Sequence, residues 1–299
     1  MKSLFVAAIA LVLPAAVQAE SLPVRLKDGA TWTITATQVR DGVGAGAQKW
    51  TLTTVKRLTW TEPAPGRSPR LTVTSVSATV NPDSLAEVAR ARSLAVPATL
   101  EVDDALSPGA VVNIDEVRTA YQEVLGRDIR GSEALADAAA HAMIASELVW
   151  TAQVQGRRLE LGKALKLDGR VENPMGGGYL PTRDSFRLES YDPASGRAVI
   201  VWSQVVDPAA LNRNLVSLAV ARTVAANPAF DAKTLTPAYS FAFKKAVGIL
   251  ENSCRSEVDV PTGLATSAQC STVSRMSYEG DTHGTTDTWT ITQTLPEPR

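Results

Sequence analysis

Large apolar residues alternate with threonine along the first third of the chain. Residues 31–37 read Thr-Trp-Thr-Ile-Thr-Ala-Thr, the period-two pattern of a strand with one buried face. A glycine-rich turn at 41–46 leads into a second strand over 50–60, and a proline-rich break leads into a third over 71–80. The region 24–80 is therefore predicted to form an antiparallel meander.

The middle of the chain changes to helical spacing. The third of its helices is rich in alanine and has an apolar stripe wide enough to lie against a sheet. An extended segment at 97–112, with a turn at 107–109, separates the first two helices. Side-chain caps predict these helices at 84–94 behind Asp83 or Ser84, at 116–125 behind Asp115, and from Ser132 to about Trp150.

Strand patterns return after Gln155. A hairpin is predicted over 186–205. Asp207 and Pro208 then provide a cap and a first-turn proline for a fourth helix that ends at 227–228. A final β-section is predicted from about Tyr239 to Leu295. Together the elements predict an α+β fold, in which a curved antiparallel β-sheet from both ends of the chain carries about four helices on one face.

One pentapeptide occurs twice. Thr31–Thr35 reads Thr-Trp-Thr-Ile-Thr, and Thr288–Thr292 repeats it letter for letter. Two interpretations stay open: a chance repeat in a threonine-rich β protein, or two similar halves at about 20–155 and 156–299. Matched faces would also let the first and last strands neighbour each other in one sheet.

The chain has two cysteines, Cys254 and Cys270, on either side of a Pro-Thr-Gly turn. In a hairpin centred on Thr262 they stand directly opposite each other, close enough for a structural disulfide. A redox-active pair is the weaker alternative, because dithiol catalysts use a CxxC arrangement at a helix start.

The N-terminus has the pattern of a cleaved signal peptide. Lys2 precedes an uncharged apolar run from Leu4 to Leu13, and small residues at 15–19 predict cleavage before Glu20. The run is ten residues long, short of the roughly 20 that span a bilayer. No cysteine follows it as a lipid acceptor. Residues 1–19 are thus predicted to be removed, which leaves 20–299 as a periplasmic or secreted protein without a lipid anchor or transmembrane segment.

Charge is nearly balanced, with 30 basic and 31 acidic residues and a net charge of −1. Nucleic-acid-binding domains carry a clustered basic excess, and no such cluster occurs here. Single basic pairs such as Lys56-Arg57 are interpreted as solvated faces. Nucleic acid is therefore excluded as a partner.

Familiar enzyme motifs are missing. The sequence has no GxSxG, SxxK, HExxH or GxxxxGK[ST]. A triad or metal site would need one of two histidines: His141 on the alanine-rich helix, or His283 in a predicted turn beside Glu279, Asp281 and Asp287. Both are interpreted as structural, and 176–178 is interpreted as a flexible glycine connector in preference to an anion nest. No catalytic residue, metal ligand or cofactor is assigned.

The predicted shape resembles the half-barrel carriers of the bacterial envelope, which hold acyl chains between sheet and helices. The resemblance is one of shape, since no motif carries it. It implies a non-enzymatic binding protein for a hydrophobic ligand or an envelope protein, with a cavity lined by Trp, Leu and Val of the strands. Two alternatives remain: a hydrolase with an unfamiliar site, and a structural surface protein that pairs through a sheet edge.

Overall fold

A computed structural model of the chain describes residues 24–93, 96–125, 133–155, 157–172 and 179–296. Eleven strands form one antiparallel sheet in the order β5-β4-β3-β2-β1-β11-β10-β9-β8-β7-β6. The strands are β1 (Thr31–Val43), β2 (Lys49–Thr61), β3 (Arg70–Asn81), β4 (Ala98–Val102), β5 (Pro108–Val111), β6 (Ala164–Glu172), β7 (Tyr179–Asp192), β8 (Arg197–Val206), β9 (Val247–Asp259), β10 (Leu264–Tyr278) and β11 (Asp281–Thr294).

The sheet is open, with β5 and β6 at its two edges, which is consistent with the predicted curved sheet. Five α-helices accompany it, where about four were expected. No helix in the described ranges is both long and apolar enough to cross a membrane. The helices are α1 (Ala86–Arg92), α2 (Ile114–Leu125), α3 (Glu133–Ala152), α4 (Pro208–Ala226) and α5 (Ala232–Ala242).

The alternation of buried and more exposed side chains along the strands decides which face of the sheet carries helices. In β1 the buried positions are Trp32, Ile34, Ala36 and Gln38, while the threonines between them face the other side. α3 and α4 both pack on this buried face. Gly248 lets α4 approach β9 closely, because a Cβ there would lie 2.8 Å from Leu211 Cδ2. The prediction of helices on one face is therefore confirmed in part, since α5 packs on α4.

The two ends of the described chain meet in the middle of the sheet. β1 pairs with β11, so that Thr35 lies opposite Thr292 and Thr37 lies opposite Thr290. The expected proximity of the first and last strands is confirmed. A duplication into two halves stays a prediction.

The meander of β1 to β3, the β7–β8 hairpin and the start of α4 agree with the sequence. Asp207 caps α4 by accepting a hydrogen bond from the Ala210 N–H at 2.8 Å. Other local predictions were wrong: neither Asp83 nor Ser84 caps α1, and α2 begins at Ile114, before the predicted cap Asp115.

Three further corrections concern turns and boundaries. The turn between β4 and β5 lies at 103–107, because β5 already begins at Pro108. Helix α5 was not predicted, and the final β-section starts at Val247, eight residues later than expected. The predicted signal peptide at 1–19, the cap Ser132 and the glycines 176–178 lie outside the described residues.

The cysteine hairpin has the predicted register. Cys254 lies directly opposite Cys270 in the β9–β10 pair, their Cα atoms are 4.0 Å apart and their sulfurs are at disulfide distance. Asp259 closes the turn, since its carboxylate accepts hydrogen bonds from the N–H and hydroxyl of Thr262. The bond lies in the centre of the sheet, on its helix-bearing face.

A buried ion pair fixes α3 to the sheet. Lys56 Nζ contacts Glu147 Oε2 and also donates to the carbonyls of Met143 and Ile144. Glu147 accepts a further hydrogen bond from the Thr54 hydroxyl at 2.7 Å. Lys56 is 3% exposed, so its interpretation as part of a solvated basic pair was wrong: it lies on the buried side of β2 and meets a carboxylate there.

Candidate functional site

The C-terminal end of α3 is held by an aromatic cluster above the disulfide. The Trp150 ring lies 6.0 Å from Trp202 and 6.4 Å from Trp289, measured between centroids. Trp202 also lies 6.3 Å from Phe186. Trp202, Trp289 and Phe186 are buried, so these strand side chains are packed core and do not line a cavity as the sequence suggested.

Beyond this cluster lies a cavity of about 460 Å³, a volume typical of small-molecule sites. It is bounded by the β4–β5 turn on one side and by α3 and the residues after it on the other. Its apolar wall includes Val149, Ala152 and Pro108. Its polar wall includes Asp103, Ser107, His141, Gln153, Gln155 and Arg157.

The β4–β5 turn has a fixed conformation. One oxygen of Asp103 accepts hydrogen bonds from the N–H of Ala105 at 2.9 Å and from that of Ser107 at 2.8 Å. Leu106 has a φ of 59°, a left-handed conformation that is unusual for a leucine. Its side chain is buried in the core, which anchors the turn. This side of the cavity is therefore built in place.

Gln155 is the most unusual residue of the cavity. It is 3% exposed, and neither its amide nitrogen nor its amide oxygen has a hydrogen-bond partner among the described residues. Leaving a buried polar group unsatisfied costs about 1–3 kcal/mol, and most such groups in native structures find partners. Gln155 thus supplies one donor and one acceptor that no other residue of the described chain satisfies.

Arg157 adds a positive charge to the same wall. Its guanidinium carbon lies 4.5 Å from the centroid of the Phe186 ring, a distance typical of cation–π contacts. Phe186 belongs to the buried core of β7. Stacking on a fixed ring holds the guanidinium in position, and no hydrogen bond joins its N–H donors to another described residue.

The cavity also brings His141 near Asp103 and Ser107, the residue types of a hydrolytic triad. No hydrogen bond joins the imidazole to either residue within the described part of the chain, and the Asp103 carboxylate is engaged by the turn. Nucleophilic catalysis requires a nucleophile that is hydrogen-bonded to a base, and a third group that orients this base. This arrangement does not provide those contacts.

The second histidine lies elsewhere and in a different element from the one expected. The turn falls at Glu279–Gly280, so His283 lies in β11. It borders a smaller cavity of about 280 Å³ beside Arg40. Arg40 forms a bidentate ion pair with Asp287, both contacts at 2.7 Å. No group of three metal-ligand side chains was found among the described residues.

A row of polar side chains, not predicted from the sequence, crosses the helix-bearing face next to the aromatic cluster. Its members stand opposite one another on successive strands. Asn252 donates to Gln204 at 2.9 Å and accepts from the Thr272 hydroxyl at 2.8 Å. The row comprises Asp184, Gln204, Asn252, Thr272, Asp287 and Arg40. Each member lies two residues from a buried position of its strand, and this shared phase was the available signal.

No protein-family model matches the chain. No curated protein matches it either. A structure that describes lipid–protein interactions in lipovitellin is 8% identical over 91% of this chain, with a TM-score of 0.46. DynF, from the dynemicin biosynthesis pathway of Micromonospora chersina, is 7% identical over 97% of this chain and 92% of its own, with a TM-score of 0.19.

The chain spans 26% of the lipovitellin chain. Both TM-scores lie below 0.5, so neither likeness bears on function.

Proposed function

We propose that the protein is a non-enzymatic ligand-binding protein of the bacterial envelope and that its ligand occupies the cavity at the end of α3. The observation that carries this proposal is the buried amide of Gln155, for which the described part of the chain offers no partner, in a residue that lines a 460 Å³ cavity. A ligand that both accepts and donates a hydrogen bond satisfies this amide if binding turns the amide, whose two polar atoms are inaccessible to solvent, towards the cavity. This pairing favours binding, because the folded protein already carries the unfavourable free energy of burying the amide without a partner.

The lining favours an amphiphilic ligand. A polar group binds between Gln155 and the Arg157 guanidinium, and a short apolar part packs against Val149, Ala152 and Pro108. The Trp residues of the sheet are packed around α3, so the apolar part is confined to this end of the helix. The ligand is thus smaller and more polar than an acyl chain lying along the sheet.

Export to the periplasm or the outside is part of the proposal. Cys254 and Cys270 are at disulfide distance, and disulfides persist in oxidising compartments. The pattern of residues 1–19 supports the same location.

The test is native mass spectrometry of the exported protein, with identification of any small molecule that it releases. Ser107→Trp places an indole in the cavity from its rim, and Ala194→Trp places one on the β7–β8 turn, outside the cavity. The expected result is an adduct of defined mass that is present in wild type and Ala194→Trp and absent from Ser107→Trp. An adduct that persists in Ser107→Trp, or a bare wild-type chain, refutes the proposed site.

A hydrolase is the second candidate, and it rests on the proximity of His141, Asp103 and Ser107 to one cavity. Substrate binding would have to bring the imidazole into hydrogen-bond contact with Ser107 and with the Asp103 oxygen that does not accept the two turn hydrogen bonds. The discriminating assay measures turnover of small ester and amide substrates by wild type and by His141→Ala. Turnover that His141→Ala abolishes would favour the hydrolase, whereas ligand release without chemical change favours the binding protein.

Strand addition at a sheet edge is the least favoured role. β5 has four residues and begins with a proline. β6 carries Lys166, Asp168 and Arg170 and an interior glycine. Short strands, charges and proline are devices that protect sheet edges against pairing with another chain.

A further inference from the structure

Helices α4 and α5 form a pair whose outer side is exposed. No residue of α5 is buried. Its half-buried side chains are Leu235 and Tyr239, and Tyr239 Oη lies 2.6 Å from Thr223 Oγ1 of α4. These two residues are spaced i, i+4 and mark the side of α5 that faces α4. The opposite side of the helix faces away from the protein.

Two large aromatic residues at this helix are exposed to solvent, and one of them lies on the outer side. Phe241 is 81% exposed and Phe230 is 49% exposed. Phe241 follows Tyr239 by two residues, which places it about 200° around the helix from the α4-facing side. Phe230 immediately precedes Asp231, the cap of α5. An exposed aromatic residue therefore lies at each end of this short helix.

The charge of this helical pair is opposite to that of the rest of the chain. Residues 207–246 contain five basic side chains, Arg213, Arg222, Lys233, Lys244 and Lys245. They contain two acidic ones, Asp207 and Asp231, and both cap helices. The segment has a net charge of +3 in a chain of net −1, so the remainder carries −4.

We propose that this helical pair docks the protein on an anionic phospholipid surface. A helix that presents exposed aromatics together with lysines binds at the interface of a bilayer, where the rings enter the headgroup region and the ammonium groups meet lipid phosphates. Lys244 and Lys245 lie three and four residues after Phe241 and are exposed, so insertion of the ring brings both to the headgroups. A second copy of this chain is a poorer occupant, because a symmetric pair would place two segments of net +3 against each other.

Docking of this kind is peripheral and reversible. α5 has 11 residues, about 16 Å of helix, and it lies along the membrane surface. Attraction to anionic lipid contributes a free energy that salt screens. The docking surface is formed by α4 and α5, whereas the cavity lies at the end of α3. Membrane docking and ligand binding can therefore be tested independently.

The experiment is flotation of the purified full-length exported protein with vesicles of phosphatidylcholine and phosphatidylglycerol in a 7:3 ratio, compared with pure phosphatidylcholine. The expected result is binding to the anionic vesicles that weakens as salt is raised. Lys244→Gln combined with Lys245→Gln should lower the partition coefficient roughly thirty-fold, since each basic residue near the surface contributes roughly a factor of five. Phe241→Ala should lower it about ten-fold.

The matched control is Lys27→Gln combined with Arg67→Gln, which removes the same charge from exposed positions outside this pair of helices. It should change the partition coefficient less than three-fold, and circular dichroism checks that every variant is folded. Failure of wild type to float, or an equal loss in the control pair, overturns the proposal. If Phe241→Ala dissolves a dimer and no variant binds vesicles, the surface is an interface between copies and the proposal is also wrong.

Discussion

Helices α3 and α4 cover the same face of one sheet by different means. α3 is joined to it by a buried ion pair, with Lys56 and Glu147 both nearly inaccessible to solvent, and by the aromatic contacts of Trp150. α4 meets the sheet through a small apolar cluster made of Leu180, Val206, Leu211 and Leu250.

The two kinds of attachment give the two helices different roles: α3 belongs to the rigid framework, whereas α4 and α5 form a surface element. A buried pair whose groups are hydrogen-bonded on several sides fixes one position of α3, and this rigidity is what a preformed cavity at its end requires. α4 contributes Leu211 to this small cluster and carries α5, none of whose residues is fully buried. We expect the α4–α5 pair to open locally at lower free energy than α3.

Breaking the ion pair should have the largest effect. Glu147→Ala leaves Lys56 buried without its carboxylate, which is expected to lower the free energy of unfolding by about 3–5 kcal/mol. Urea unfolding followed by tryptophan fluorescence measures it. The control is Glu160→Ala, which removes an exposed contact with Lys163 and should leave the midpoint unchanged.

A double replacement sharpens the same comparison. Lys56→Met combined with Glu147→Leu removes both charges and keeps the side-chain volume, so most of the lost stability should return. If the double variant is as unstable as Glu147→Ala, the ion pair is not what fixes α3.

The next largest effect concerns α4. Leu211→Ala removes a buried side chain that contacts the region of Gly248 and Leu250 and should cost about 2–3 kcal/mol. Hydrogen exchange should show the loss in residues 208–242 and leave α3 protected. An equal loss of protection in α3 would mean that the two helices form one cooperative unit.

Acidification should weaken the attachment of α3 to the sheet. Burial alone would raise the pKa of Glu147, but the Lys56 ammonium, with Arg92 and the Thr54 hydroxyl, holds it below its ordinary value of 4.5. A carboxyl whose pKa is lowered by folding stabilises the protein above its unfolded pKa, and this stability is lost as pH falls through the folded pKa. We therefore expect the unfolding midpoint to fall below about pH 4.5, and to fall less in the Lys56→Met/Glu147→Leu variant.

Most of the sheet could be predicted because its alternation is strict. Trp32, Ile34 and Ala36 share one phase of β1, and the threonines share the other, so a single buried face follows directly. The pairing of Cys254 with Cys270 follows because the two cysteines are equally far in sequence from Thr262, the centre of the hairpin. In both cases the signal is local and repeats at the period of the structure.

The ion pair, the burial of Gln155 and helix α5 could not be predicted, because no local pattern in the sequence indicates them. Lys56 has the phase of a buried residue, but its partner Glu147 lies 91 residues away, and nothing local pairs the two. Gln155 follows a helix in a segment without periodicity, so its burial was not predictable. α5 was missed because it contains Pro237 and has no buried stripe, which removes both signals used to recognise a helix.

The central claim is that the end of α3 binds a ligand while the α4–α5 pair remains free for another surface. Hydrogen exchange by mass spectrometry, comparing the ligand-loaded protein with the same protein after solvent extraction, tests it most directly. We predict that loading slows exchange in the β4–β5 turn at 103–108 and in 149–155, and leaves 208–242 unchanged. Slower exchange confined to 208–242, or no difference anywhere, would contradict it.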